Sequence, residues 1–178
     1  MKKSDGKILS VLTKINNFIL SIEEILLVVI TVGLCLVIFV EVLARYIFFT
    51  STAWAEELAR YLFIILTFIG AAYACAHHDH IEIDIINQVL EKIPAIKDKK
   101  KSQKIVDIIG NVTTIIFLLI FNSIFGNYIA QINKIGLLSP TMQIPMVWIY
   151  ASVYLGGVLS IIHLIYLVIR DLSGAKSE

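Results

Sequence analysis

The chain has 178 residues, 58% of them hydrophobic and 16% charged, with a formal net charge of +1. Its mean hydropathy of +0.84 goes with an apolar share above the roughly 45–50% of ordinary globular domains. That excludes a soluble domain of usual composition and a basic nucleic-acid-binding protein, and it points to an all-α integral membrane protein with a single membrane domain, residues 1–178.

Residues 1–21 place Ile8, Leu12, Ile15 and Ile19 on one helical face, with Val11 and Phe18 beside them and lysines and asparagines elsewhere. The pattern predicts an amphipathic N-terminal helix lying on an anionic membrane surface, or else the early turns of the first span. Lys14, Asn16 and Asn17 interrupt the apolar run, so it does not read as a cleaved signal. The first span is expected over 22–48. Glu41 and Arg45 stand one turn apart near its end, in the favourable acid-first order.

A short polar connector follows, in which Ser51 or Thr52 can cap the next helix. The second span, 54–76, opens on Trp54, Glu56, Glu57, Arg60 and Tyr61 and then runs from Tyr61 to Ala76 without a charge. Glu56 and Arg60 repeat the four-residue acid–base spacing. Ionisable groups at a span entrance need a partner or water. The short connector predicts that the two pairs merge into one four-charge cluster at the outer mouth. Steps of three and four from Arg60 pass Phe63, Thr67, Gly70 or Ala71, and Ala74, a small-residue stripe suited to close helix packing, while Leu62, Ile65, Leu66 and Ile69 suit lipid or a partner groove.

Residues 77–104 read as a cytoplasmic loop. Ile81, Ile83 and Ile85 alternate as in a strand, but Ile86, Val89, Leu90 and Ile93 continue at helical spacing, which favours a short amphipathic helix over 84–93, ended by Pro94. A lysine-rich run from Lys97 to Lys104 follows, explained by topology and lipid head groups. The third span is expected over 105–128, with Asp107, Asn111, Thr114 and Asn122 near one stripe. The connector to Pro145 is a partly buried loop or an outer-surface helix. The fourth span, 146–169, carries Ser152, Gly156 and Ser160 at four-residue steps, with His163 on the same face. The lysines before the first span, those of the middle loop, and Arg170 and Lys176 after the fourth span place both termini inside by the positive-inside rule.

The chemistry on offer is sparse. His77, His78 and His80 with Asp79 could bind a metal, and His163 could pair with one of them as haem ligands, which would make the chain a membrane redox subunit. Those three histidines sit at one end and only His163 faces them, so an interfacial polar cluster is the simpler reading. Cys35 and Cys75 read as packing residues within spans. No nucleophile–base arrangement or phosphate loop is visible, and no charged site lies at mid-depth, where transporters hold substrate. The expectation is a non-catalytic accessory subunit without cofactor or metal.

Three stretches carry a resemblance: EVLARYIF at 41–48, WAEELARYLFIILTFIGAAYA at 54–74 and HIEIDII at 80–86. Their order within a four-span layout resembles the small membrane (Q) subunit of tripartite ATP-independent periplasmic (TRAP) transporters, over nearly the whole chain. Glu82 departs from the pattern, which favours a basic residue there. The resemblance implies a bacterial inner-membrane protein that partners a large membrane subunit (M), which carries substrate and sodium, and a periplasmic substrate-binding protein (P). It implies organic anions as substrates: dicarboxylates, keto acids or sialic acid. The residues expected at the subunit interface are Glu41, Arg45, Trp54, Glu56, Glu57, Arg60, Tyr61, Gly70, Ala74, Ser152, Gly156 and Ser160, with membrane lipids around the remainder.

Overall fold

The computed structural model describes residues 2–50, 52–77 and 99–173, with side chains over 9–50, 52–77 and 105–172. These residues form four helices: α1, Lys2–Ile47; α2, Ala53–Ala76; α3, Lys99–Ile135; and α4, Met146–Ser173. Each contains a stretch long and apolar enough to cross a membrane: Leu9–Ile47, Ala53–Ala76, Ile105–Ile135 and Met146–Leu172. The expected helix over 84–93, residues His78 to His80 and Ser51 lie outside the described residues.

The expected separate surface helix over 1–21 is not a separate element. It is continuous with the first span as the 46-residue α1. The physical reason is the absence of a breaker: no proline or glycine falls between Gly6 and Gly33. At about 1.5 Å per residue α1 is about 69 Å long, twice a hydrocarbon core of roughly 30 Å, so it tilts or runs beyond the membrane. Its N-terminal half keeps the amphipathic division. Val11, Ile15, Phe18 and Ile22 point outward, while Asn16 and Glu23 turn inward and are buried.

The centre of the bundle is α4. It packs against α1, α2 and α3, whereas α3 touches neither α1 nor α2 among the described residues. Two adjacent glycines explain how α4 serves two neighbours. A Cβ on Gly156 would sit 2.6 Å from the Phe68 carbonyl oxygen of α2, and one on Gly157 would sit 2.5 Å from the Asn122 side chain of α3. At Gly156 the neighbour is backbone, so only glycine permits the approach; at Gly157 the Asn122 side chain would have to shift. The stripe Ser152, Gly156 and Ser160 is therefore spent inside this chain. Gly156 meets α2, the Ser160 hydroxyl returns to the Gly156 carbonyl at 2.9 Å, and that of Ser152 returns to the Ile149 carbonyl at 2.6 Å.

Within this chain most of the small-residue stripe of α2 is left open. Phe63, Thr67, Ala71 and Ala74 are exposed, while Leu62, Ile65, Leu66 and Ile69 are half-buried against neighbours. The aliphatic side packs within the chain because α1 is close to it, Leu62 reaching Gly33; of the stripe, Gly70 is half-buried and lies 3.7 Å from Leu27 as measured from a Cβ built on it. Many large apolar side chains face outward, among them Val29, Val32, Leu36 and Phe39 of α1. A water-exposed apolar surface of that extent would mark an aggregating protein. In a bilayer it is the solvated face.

Candidate functional site: the α1–α2 junction and the buried polar cluster

One group of candidate residues lies where the C-terminal end of α1 meets the N-terminal end of α2. Arg45 bonds Glu41 at 2.9 Å and Arg60 bonds Glu56 at 3.2 Å. Thr52, at the N-cap of α2, makes no side-chain capping bond. Its hydroxyl instead donates to Glu41 and so fastens the start of α2 to the end of α1. The expected merger of four charges does not occur: among the described residues no ion pair joins Glu41–Arg45 to Glu56–Arg60. Each carboxylate is satisfied within its own helix or by Thr52. The Arg60 and Glu56 side chains are 66% and 61% exposed, so this pair is a solvated rim worth roughly 0.2–1 kcal/mol.

Glu57 behaves differently from its neighbour. It is buried, and its carboxylate accepts from the Tyr61 hydroxyl at 2.7 Å and from the backbone N–H groups of Thr141 at 2.8 Å and Met142 at 3.3 Å. The Ser139 hydroxyl faces it as well. Tyr61 in turn reaches the Met146 sulfur at 3.4 Å. Together these bonds clamp the α3–α4 connector onto α2. The connector itself is an ordered turn. Gly136 ends α3 with φ 66°, a left-handed position that suits glycine. The turn is then held by Leu138–Pro145 pairing, a Ser139 N–H to Ile144 carbonyl bond of 2.9 Å and two 3.1 Å bonds from the Gln143 amide to the Ser139 and Pro140 carbonyls. A groove of about 200 Å³ runs beside it, lined by Ala53, Glu56, Arg60, Pro140 and Thr141.

The second group lies toward the other end of the bundle and was not anticipated. The His163 ring is fully buried between Asn16 and Glu23 of α1. Its Nδ1 is 2.7 Å from Asn16 Oδ1, and its Nε2 is 3.2 and 3.1 Å from the two Glu23 oxygens. One helical turn further along α4, Tyr166 meets the Thr13 hydroxyl at 3.2 Å. Asn16 and Glu23 are seven residues apart, two turns on one helix face, which is the one trace of this cluster in the sequence. With both ring nitrogens engaged inside the chain, a haem-ligand role for His163 would require one contact to break. His77 is turned away in its own helix, its Nδ1 on the Tyr73 carbonyl at 3.0 Å and its ring over Tyr73.

The sequence-derived interface residues thus divide by exposure. Arg45, Trp54, Glu56, Arg60 and Ala74 face outward; Glu57, Tyr61, Gly156 and Ser160 are buried within the chain, and Gly70 and Ser152 are half-buried. Glu41 is bonded to Arg45 and Thr52, its side chain 13% exposed.

The fold and these sites define a class: a four-helix membrane protein whose deep polar groups fasten one helix to another. The family profile for the DctQ component of tripartite ATP-independent periplasmic transporters matches residues 34–174. The chain belongs to that family and is a small permease component of such a transporter, a multi-pass protein of the inner membrane. Over 94% of its length it is 24% identical to the ectoine TRAP transporter small permease protein TeaB of Halomonas elongata, covering 79% of that protein. It is 33% identical over 44% of its length to a TRAP transporter small permease protein, described as putative, of Haemophilus influenzae. It is also 30% identical over 42% of its length to the C4-dicarboxylate TRAP transporter small permease protein DctQ of Vibrio cholerae. The matches span 47% and 32% of those last two relatives.

Proposed function

We propose that this chain is the non-catalytic scaffold subunit of a sodium-coupled TRAP transporter. In this reading it packs beside the large membrane subunit and widens its fixed part within the bilayer, while the large subunit carries the substrate and a periplasmic binding protein delivers it. The observation that supports a scaffold most directly is where the polar groups go. Glu57 clamps a turn, Glu23 and His163 hold α1 to α4, and Gly156 and Gly157 seat α2 and α3. The exposed small-residue stripe of α2, Thr67, Ala71 and Ala74, is the face on which a helix of the large subunit packs closely. The outer mouth, with Arg45, Trp54, Glu56 and Arg60, borders that contact. Lipid covers the outer face of α1.

The substrate is an organic anion, a dicarboxylate, keto acid or sialic acid. Two relatives are named for ectoine and for C4-dicarboxylates, and nothing in this chain selects among such molecules. Co-expression tests the scaffold reading. The chain is expected to co-purify with the large subunit, and Ala71→Trp on the exposed stripe is expected to abolish the complex while the chain alone stays folded. A complex unaffected by tryptophans at both 71 and 74 would move the interface elsewhere.

In the same reading both termini are cytoplasmic and the turn over 136–145 is periplasmic. Single cysteines replacing Lys134 and Leu172, in a variant lacking Cys35 and Cys75, report this topology in intact cells. An impermeant thiol reagent is expected to label position 134 and not 172, and the opposite pattern would invert it.

A further inference from the structure

Among the described residues, two that are not glycine hold a positive φ, Phe49 at 53° and Gln143 at 55°. Gln143 has a reason within the chain: its amide bonds the Ser139 and Pro140 carbonyls, each at 3.1 Å. At Phe49 the backbone alone has a reason. The N–H groups of Phe48 and Thr50 both return to the Ala44 carbonyl, each at 3.2 Å, and so close the C-terminal end of α1. Glycine or asparagine fills such a helix stop without strain, and a bulky ring at positive φ is an outlier. Phe49 is also 89% exposed, so its ring gains no packing inside the chain to offset the strained backbone.

Phe49 stands where polar and apolar surfaces meet. Arg45, one turn before it, has an exposed side chain, as do Glu56 and Arg60 of α2. At the same junction Tyr46, Phe48 and Trp54 are exposed, and so is Trp148 near the start of α4, which Met146 ties to this end of the bundle through Tyr61. Rings among wet charges at the ends of apolar spans are what a membrane–water interface selects, because it is apolar on one side and aqueous on the other. The junction also needs something to hold its level. α1 exposes apolar side chains from Val11 to Phe39, about 42 Å of helix. The 24 residues of α2 span about 36 Å. Both exceed a hydrocarbon core of roughly 30 Å, so neither helix fixes its own depth by length. Tilt and depth then depend on packing and on interfacial anchors.

We propose that Phe49, with Phe48 before it, is a membrane anchor: the strained turn projects the Phe49 ring into the head-group layer of the bilayer and fixes the depth of the α1–α2 junction. The occupant of this surface is lipid, and the anchor works in the chain alone, whatever partner the chain serves. Glycine at position 49 would relax the backbone and release the junction. When the bilayer becomes thicker or thinner, the junction keeps its level and the opposite end of α1 takes up the difference.

The experiment uses the full chain in lipid nanodiscs, with Cys35 and Cys75 replaced by alanine and one spin label on a cysteine replacing Ile47 or Val11, both exposed positions. Label depth is read from relative accessibility to oxygen and to a water-soluble nickel chelate, in bilayers of short-, medium- and long-chain phosphatidylcholine. The label at 47 is expected at head-group level in all three, while the label at 11 shifts with thickness. Phe48→Ser with Phe49→Gly is expected to let the label at 47 shift as well. Phe49→Gly alone is expected to melt no lower than the parent, because glycine takes a φ of 53° without strain. The single variant and the labelled parent decide the matter if the double variant does not fold. A label at 47 that lies in water or deep in the core, a level that persists after both rings are removed, or a lower melting temperature for Phe49→Gly would each overturn the proposal. So would a level at 47 that becomes fixed only when the large subunit is added, since the ring would then rest on protein.

Discussion

Glu57→Ala is expected to release the 136–145 turn from α2. The carboxylate accepts three hydrogen bonds in a buried setting, from Tyr61, Thr141 and Met142. Bonds to a charged group contribute about 1.5–3 kcal/mol each, and the orphaned N–H groups of Thr141 and Met142 would have to find water. The effects overlap, so a clear drop in melting temperature is expected, smaller than three independent bonds would give. The readout is thermal unfolding of the purified chain, together with protease cleavage within the turn, which should become fast. Glu57→Gln keeps one acceptor oxygen but turns an amide toward backbone donors, and should fall between the two. Melting of Glu57→Ala at the parent temperature, with the turn still protected, would show that the turn holds itself.

The second large effect is expected at the other end of the bundle. Glu23→Met alone leaves the buried His163 without its carboxylate, and His163→Met alone leaves the Glu23 carboxylate without its imidazole. Breaking a buried pair from one side costs about 3–5 kcal/mol, whereas removing both partners in favour of apolar side chains of similar bulk is close to neutral. The double variant is therefore expected to recover most of what either single variant loses, a coupling that a double-mutant cycle on unfolding free energy reads directly. If the two losses simply add, the contact contributes nothing as a pair, and α1 is held on α4 by its apolar neighbours alone.

The contrast between Glu56 and Glu57 shows where sequence reading stops. Both stand at the start of α2, and the four-residue rule singles out Glu56, because its partner Arg60 is nearby in sequence. That pair forms as expected but lies on the exposed rim. Glu57 is the buried one, and its partners are backbone N–H groups from residues 141 and 142, which no side-chain pattern announces. His163 follows the same logic. Its place on the small-residue face of α4 was legible, but its partners lie more than a hundred positions away, Asn16 in the stretch that reads as a surface helix and Glu23 at the start of the first span.

What was legible rests on local rules. Four apolar stretches become four helices because hydropathy and length need no tertiary information. The stripe Ser152, Gly156 and Ser160 was legible as a packing face but not its use, since periodicity does not say whether the approaching helix belongs to the same chain. Here it does for Gly156, which meets Phe68 of α2. The stripe of α2 through Thr67 and Ala74 was legible in the same way and points outward instead. The two stripes have similar chemistry and opposite fates, because the Gly156 face of α4 is turned toward α2, whereas the stripe of α2 lies on the side away from its neighbours.

The central claim is that this chain supports transport without carrying substrate itself, and reconstituted uptake tests it most directly. Liposomes with an inward sodium gradient are prepared with this chain alone, with the large subunit and binding protein alone, and with all three, and are offered labelled dicarboxylates, keto acids, sialic acid and ectoine. Sodium-dependent uptake of one of these is expected only when all three proteins are present. Uptake by this chain alone, or undiminished uptake in its absence, would contradict the account.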